Sequence, residues 1–280
     1  VRHLWDPAVD DDVEVFGKGC RVRAVRLHPP GRVEDLRLDE IDPPEGGPGQ
    51  VSVRVHAAAV TRGELEWPVD RLPAIPSYEL SGVVARDGDG FSTGDDVFAL
   101  TPFDRDGVAA EYASVPADVL ARRPTSLDHA QAAALPMPGL TAWQALVVHG
   151  QLRSGERVAV TGAHGGVGHV AVQLARGRGG VLVDAGEPCD LLFDTVGGDE
   201  LVTAAGAAGR VVTIAEEAPG ADYFIVEPDG RQLAEVGRLI ERGGLRVEID
   251  SVFPLSEAGA AFRRSTEHGK HGKVVIQVVG

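Results

Sequence analysis

The chain has 280 residues, 43% of them hydrophobic and 25% charged, enough apolar content for one large core or two ordinary ones. A formal net charge of −15 sets it against phosphate backbones and argues against a nucleic-acid partner, and no apolar run of about 18 residues is present to cross a membrane. Two cysteines, Cys20 and Cys189, cannot build a disulfide framework or a four-cysteine zinc lobe, and each reads as a small buried thiol.

Residues 1–20 read as an appended tail. Val1 to Asp12 carries acids and no apolar core of a signal peptide, so a cytoplasmic protein is expected. From Val22 to about Ala121 the pattern is short and strand-like. Val51-Ser-Val-Arg-Val55 alternates as a half-buried strand should, and Ser81–Ala85, Asp96–Leu100 and Ala110–Val115 are similar runs set apart by Gly and Asp clusters. Many short strands with turn signals predict a small β-barrel. The grammar then changes at Leu127. Asp128 can cap a helix over Ala130–Leu135 that Pro136 and Pro138 would end, and a second helix is expected over Thr141–His149. The strand Arg157–Thr161 leads into a glycine turn and the helical stretch His169–Arg176. Further strands are expected at Val181–Asp184, Leu191–Asp194, Arg210–Ile214 and Tyr223–Val226. A helix over Gln232–Arg242, another near Glu257–Ser265 and a last strand over Lys273–Val278 complete the chain.

The turn fits Ala163-x-Gly165-x-x-Gly168. A pyrophosphate must approach the backbone at the start of the helix, and a Cβ at Gly165 would obstruct it. Gly168 lets the helix pack tightly on the strand, and the helix start offers free N–H groups with partial positive charge. A glycine triplet alone is a weak signal; a buried strand before it and an alanine-rich helix after it make a dinucleotide site the better reading.

Thr161–Ala175 resembles the cofactor loop of zinc-independent quinone oxidoreductases, within the medium-chain dehydrogenases/reductases. Ala132–Leu146, Phe193-Asp-Thr-Val-Gly-Gly198, Gly269–Ile276, Pro76–Gly82 and Gly94–Phe98 are similar to other signatures of that family, and the resemblance covers roughly residues 22–280. It implies an α/β fold: a GroES-like β-barrel over 21–122 and 251–280, and a Rossmann-like doubly wound parallel sheet over 123–250. NADPH, or NADH, would lie in the cleft between them. On this resemblance Ala163, His164, Gly165, Gly166, Val167 and Gly168 would hold the pyrophosphate. Thr141 would sit near the nicotinamide, and Val196, Gly197 and Gly198 would border the ribose. Tyr223, Phe224 and Ile225 would offer backbone groups to the carboxamide, although as strand residues Phe224 and Ile225 also fit a core. Lys273 would close the site near the phosphates. A homodimer and a small-molecule substrate are implied in the same way.

Zinc members of the superfamily need thiol or imidazole donors, and Thr61 and Tyr78 stand at two of those positions. No metal site is expected. Thr61 and Tyr78 face the expected cleft, where they either hydrogen-bond a carbonyl that becomes an enolate or only line the pocket. The chain departs from the family pattern after the glycine helix. Between Gly180 and Cys189 there is no room for a helical crossover of about a dozen residues, so the sheet is shortened by about one strand-helix unit. Val181–Asp184 is then either the second strand, with Asp184 placed for a ribose diol, or the third, with Asp184 idle. Two functions follow: an NAD(P)H-dependent reductase of a quinone or activated C=C bond, or a family member that has lost its cofactor and acts as a non-catalytic scaffold or small-molecule binding protein.

Overall fold

The computed structural model describes residues 16–17, 19–68 and 70–279; the tail expected over residues 1–20 lies largely outside them. The alternation at Val51–Val55 belongs to a longer strand, β3 (Gln50–Val60). β3 alternates between buried and half-buried residues up to His56, and then its last four residues are all buried. The change has a local cause. Ala57 and Ala59 pack on Ala133 and Ala134 at the end of a short helix, α1 (His129–Ala133), and only small side chains let the helix lie that close to the strand. Around β3 stand β4 (Glu79–Val84), β5 (Asp96–Leu100), β6 (Tyr112–Pro116) and β7 (Leu120–Arg122), preceded by the hairpin β1 (Val22–Leu27) and β2 (Leu36–Ile41). This is the GroES-like lobe.

The second lobe begins with α2 (Pro136–Trp143), which continues in wider turns to His149. The sequence expectation that Pro136 and Pro138 end a helix is corrected here. Both prolines lie in the first turn of α2, where an N–H has no partner inside the helix and its loss costs nothing. There follow β8 (Arg157–Val160), α3 (Gly168–Gly177), β9 (Val181–Val183), β10 (Cys189–Asp194), α4 (Gly198–Ala205), β11 (Ala208–Thr213), β12 (Asp222–Tyr223) and α5 (Gly230–Glu241). The strands form one parallel sheet in the order β12-β11-β10-β8-β9. Val158, Val160, Leu191 and Phe193 point to the face covered by α2, α3 and α5, while Ala159 and Leu192 point to α4. The strand expected over Tyr223–Val226 is shorter than predicted: β12 stops at Tyr223, and Ile225 is 66% exposed rather than in a core.

The chain then returns. β13 (Ile249–Pro254), α6 (Ala258–Thr266) and β14 (Lys273–Gln277) complete it, and β14 pairs antiparallel with β3, Val274 opposite Val60 and Gln277 opposite Ala57. Lys273 is thereby carried to the end of β3, next to the parallel sheet's glycine turn. Among the described residues, no helix is long and apolar enough to cross a membrane.

β9 pairs directly with β8, Ala159 opposite Val183, and forms the edge of the sheet. With α3 it makes a single β-α-β unit, so it stands as the second strand and the third is the one missing. The connection Asp184–Pro188 reaches β10 on the other side of β8 without any helix. β9 is short, so the chain has little distance to return. Arg157 holds the connection against the sheet, Nε donating to the Pro188 carbonyl at 2.7 Å and the guanidinium pairing with Glu187 at 3.0 Å.

Candidate functional site

The glycine turn sits between the end of β8 and the start of α3. Gly162 has φ +61° and lies against Thr195 and Val196; a Cβ there would come within 3.0 Å of Val196 Cγ2. A Cβ on Gly168 would press on the Gly162 backbone, 2.7 Å from its carbonyl carbon and 2.9 Å from Ala163 Cα. These two glycines therefore set the tight wrap that points the turn's N–H groups outward. Among the described residues, the N–H groups of Ala163, His164, Gly166 and Val167 meet no acceptor, while Gly165 N donates to Gly162 O at 2.8 Å. Unpaired donors converging at a helix start are an anion cradle.

The edge of the sheet beneath the turn is held by residues that sequence reading passed over. Asp194, fully buried at the end of β10, accepts from Thr161 Oγ1 at 2.6 Å, from Thr213 Oγ1 at 2.8 Å and from Gly197 N at 3.1 Å. Thr195 Oγ1 donates back to the Thr161 carbonyl at 2.8 Å. One carboxylate thus fixes the ends of β8, β10 and β11 and places Val196 and Gly197 beside the turn. The signal was present in Phe193-Asp-Thr-Val-Gly-Gly198, but only the buried geometry assigns the aspartate.

Across the cleft the GroES-like lobe presents a buried charged cluster. Lys273 Nζ pairs with Glu79 Oε1 and donates to Thr61 Oγ1 at 3.0 Å; Thr61 Oγ1 donates to Glu79 Oε1 at 3.1 Å. The other Glu79 oxygen accepts from Met137 N of α2 at 2.8 Å, so this carboxylate ties β4, β14, the end of β3 and the second lobe together. Lys273 does lie under the turn, with its Cδ 3.9 Å from where a Cβ of Gly166 would stand, but its ammonium is engaged with Glu79 and Thr61. Glu64, 5% exposed, accepts from Thr61 N at 2.8 Å and Ser77 N at 2.9 Å. Burial pushes its carboxyl up to about 8, outweighing those backbone donors and the nearby Lys273. Neither glutamate stood out in sequence, because an isolated Glu after a strand reads as surface.

Tyr78 and Thr61 do not share one pocket wall. The Tyr78 ring stacks on Trp67, centroids 5.8 Å apart, and meets the edge of Phe103 at 5.3 Å. Tyr78 and Phe103 line a cavity of about 320 Å³ together with Arg71, Ala74 and Asp106. Burial, then the Glu64 charge, raises the Tyr78 phenol above its ordinary value, so it stays a donor. Thr141 is buried and its hydroxyl donates to the Met137 carbonyl at 2.6 Å, within α2. Tyr223 and Phe224 lie at the far strand of the sheet, Phe224 stacked on His149 at 4.3 Å. Asp184 is exposed at the end of β9.

Residues 47–125 match the family described as "Alcohol dehydrogenase GroES-like domain", and residues 171–276 that described as "Zinc-binding dehydrogenase". The chain is 28% identical to the NADPH-dependent alkenal/one oxidoreductase of Arabidopsis thaliana, over 88% of this chain and 77% of that protein. It is 27% identical to quinone-oxidoreductase QR1 of Triphysaria versicolor, over 86% of this chain and 94% of that protein. The crystal structure of an alcohol dehydrogenase superfamily protein from Novosphingobium aromaticivorans superposes with a TM-score of 0.82 at 28% identity, covering 93% of this chain and all of that one. The chain belongs to the quinone oxidoreductase-like medium-chain dehydrogenases/reductases.

A medium-chain dehydrogenase needs a place for a nicotinamide dinucleotide, and this turn fits one: free N–H donors, a helix start, and glycines where a Cβ would intrude. The position of zinc ligands in other members is different in kind here. It holds a threonine hydroxyl and a lysine ammonium, neither of them a donor that zinc prefers, and the phenol of Tyr78 is packed among aromatic rings. Among the described residues, no three His, Cys, Asp or Glu side chains stand together as a metal site would require.

Proposed function

We propose that this chain is a zinc-free, NAD(P)H-dependent reductase of an activated C=C bond or a quinone. That it is an oxidoreductase follows from its family; the substrate class and the independence from zinc are our reading. The observation that carries it is the glycine turn, with its free N–H groups facing Lys273 and Thr61 across the cleft. When bound, the cofactor supplies a hydride. The chain's part is to bind and to orient. The turn from Ala163 to Gly168 holds the pyrophosphate, and Asp194 keeps its neighbours in place. Thr61 Oγ1 accepts from the Lys273 ammonium, which makes its own O–H a stronger donor to a carbonyl oxygen on which negative charge develops. The π-faces around Tyr78 suit a planar conjugated substrate better than a saturated alcohol.

The test is a calorimetric titration of the purified chain with NADH and NADPH, followed by a nucleotide-oxidation assay with a benzoquinone and with an α,β-unsaturated ketone. Binding of either nucleotide below millimolar concentration and turnover of one substrate class without added metal support the reading. Failure to bind either nucleotide overturns it and leaves a non-catalytic binding protein.

A further inference from the structure

The parallel sheet is unequal on its two sides. A doubly wound sheet binds its dinucleotide across two mononucleotide-binding halves. Here the half formed by β10, α4, β11 and β12 has its strands, while the half that begins with β8 has only α3 and β9. The adenosine end of a nucleotide laid on the turn would meet β9 as the last strand. Asp184 follows Val183 directly and stands level with Val160, the last residue of β8 before the turn. That is the C-terminal edge of the second strand, where a carboxylate meets the adenosine ribose.

We infer, on the reading above that the turn binds a nicotinamide dinucleotide, that Asp184 makes this chain selective for NADH against NADPH. A carboxylate there accepts hydrogen bonds from the 2′- and 3′-hydroxyls and repels a 2′-phosphate. No basic group offsets it from the same half. Arg157 opens β8 and is bound to Glu187 and Pro188, Arg176 lies in the last turn of α3, and Arg178 lies over the Trp143 ring. All three belong to the N-terminal edge of the sheet, the edge opposite Asp184. Glu187, three residues after Asp184, adds acid to the same short connection. The shortened sheet therefore leaves one charged contact for the adenosine ribose, and its sign is negative.

The experiment measures dissociation constants for NADH and NADPH by calorimetry on the parent, Asp184→Asn and Asp184→Ala. Asp184 is exposed, so the variants fold as the parent does. The parent is expected to bind NADH about tenfold more tightly than NADPH, with the ratio shrinking as salt is raised. Asp184→Asn should tighten NADPH several-fold and leave NADH nearly unchanged, while Asp184→Ala should also weaken NADH a few-fold. Equal or tighter binding of NADPH by the parent, or an unchanged ratio in Asp184→Asn, overturns the inference alone. If neither nucleotide binds, the reading of the turn fails and this inference with it.

Discussion

At the scale of single residues, Gly165 and Gly168 share a turn and differ in what a side chain would meet. A Cβ on Gly168 collides with backbone at Gly162, which has no way to yield without unwinding the turn; one on Gly165 comes to 3.2 Å of the Gly162 oxygen and otherwise points outward. Gly168→Val is therefore expected to cost about 1–3 kcal/mol or more of stability. Gly165→Val should keep most of the stability and lose about a hundredfold in nucleotide affinity, as two or three charge-assisted contacts of about 1.5–3 kcal/mol are displaced. Melting temperature and calorimetric affinity, read together on both variants, check the split. Glu64 gives a pH signature. Its carboxyl titrates at about 8 in the folded chain and near 4.5 when unfolded, so the folded state binds the extra proton between those values. Stability from this group is thus highest below pH 4.5 and falls as pH rises through 8. In Glu64→Gln the fall of melting temperature between pH 5 and 8 should be shallower than in the parent; equal slopes would show that Glu64 is ionised throughout.

At the scale of elements, the connection Asp184–Pro188 replaces a helical crossover with a short extended segment. Its anchor is Arg157, whose guanidinium is about half exposed and pairs with a Glu187 that is half exposed too. Exposed pairs of this kind contribute about 1 kcal/mol or less. Arg157→Ala is accordingly expected to lower stability only slightly, while backbone amides of residues 184–189 exchange hydrogen markedly faster; unchanged exchange would mean the segment is held by β10 alone. α2 shows the same dependence on context. Its prolines read as helix breakers when the helix is placed at Thr141, and as favourable first-turn residues once the helix begins at Pro136.

At the scale of the whole molecule, Glu79 joins the lobes. It receives Lys273 from β14, Thr61 from the end of β3 and Met137 N from α2. Removing one partner of a buried pair leaves the other charge without compensation, which costs about 3–5 kcal/mol. Lys273→Met should show that loss in urea denaturation. The double variant Glu79→Gln with Lys273→Met should lose clearly less than the sum of the single losses, because no lone charge remains. Additive losses would show that the two residues act independently and that the lobes are joined elsewhere.

The strand-turn-helix around Gly162–Gly168 was legible in sequence because its determinants are local: an apolar run, glycines where backbone approaches backbone, and an alanine-rich helix in contiguous residues. Alternation likewise marked β3 and β5, each having a face that its own residues declare. β13 and α4 were not predicted: β13 is a half-exposed strand with no clean alternation, and α4 is a short helix behind two glycines. The place of β9 in the sheet was open, since strand order depends on pairing with β8 and not on the strand's own composition. The cluster of Thr61, Glu64, Glu79 and Lys273 was hidden for the same reason. Its members are separated by up to 212 positions, and only the antiparallel pairing of β14 with β3 brings them to one cleft, buries Glu64 and closes the ion pair under the glycine turn.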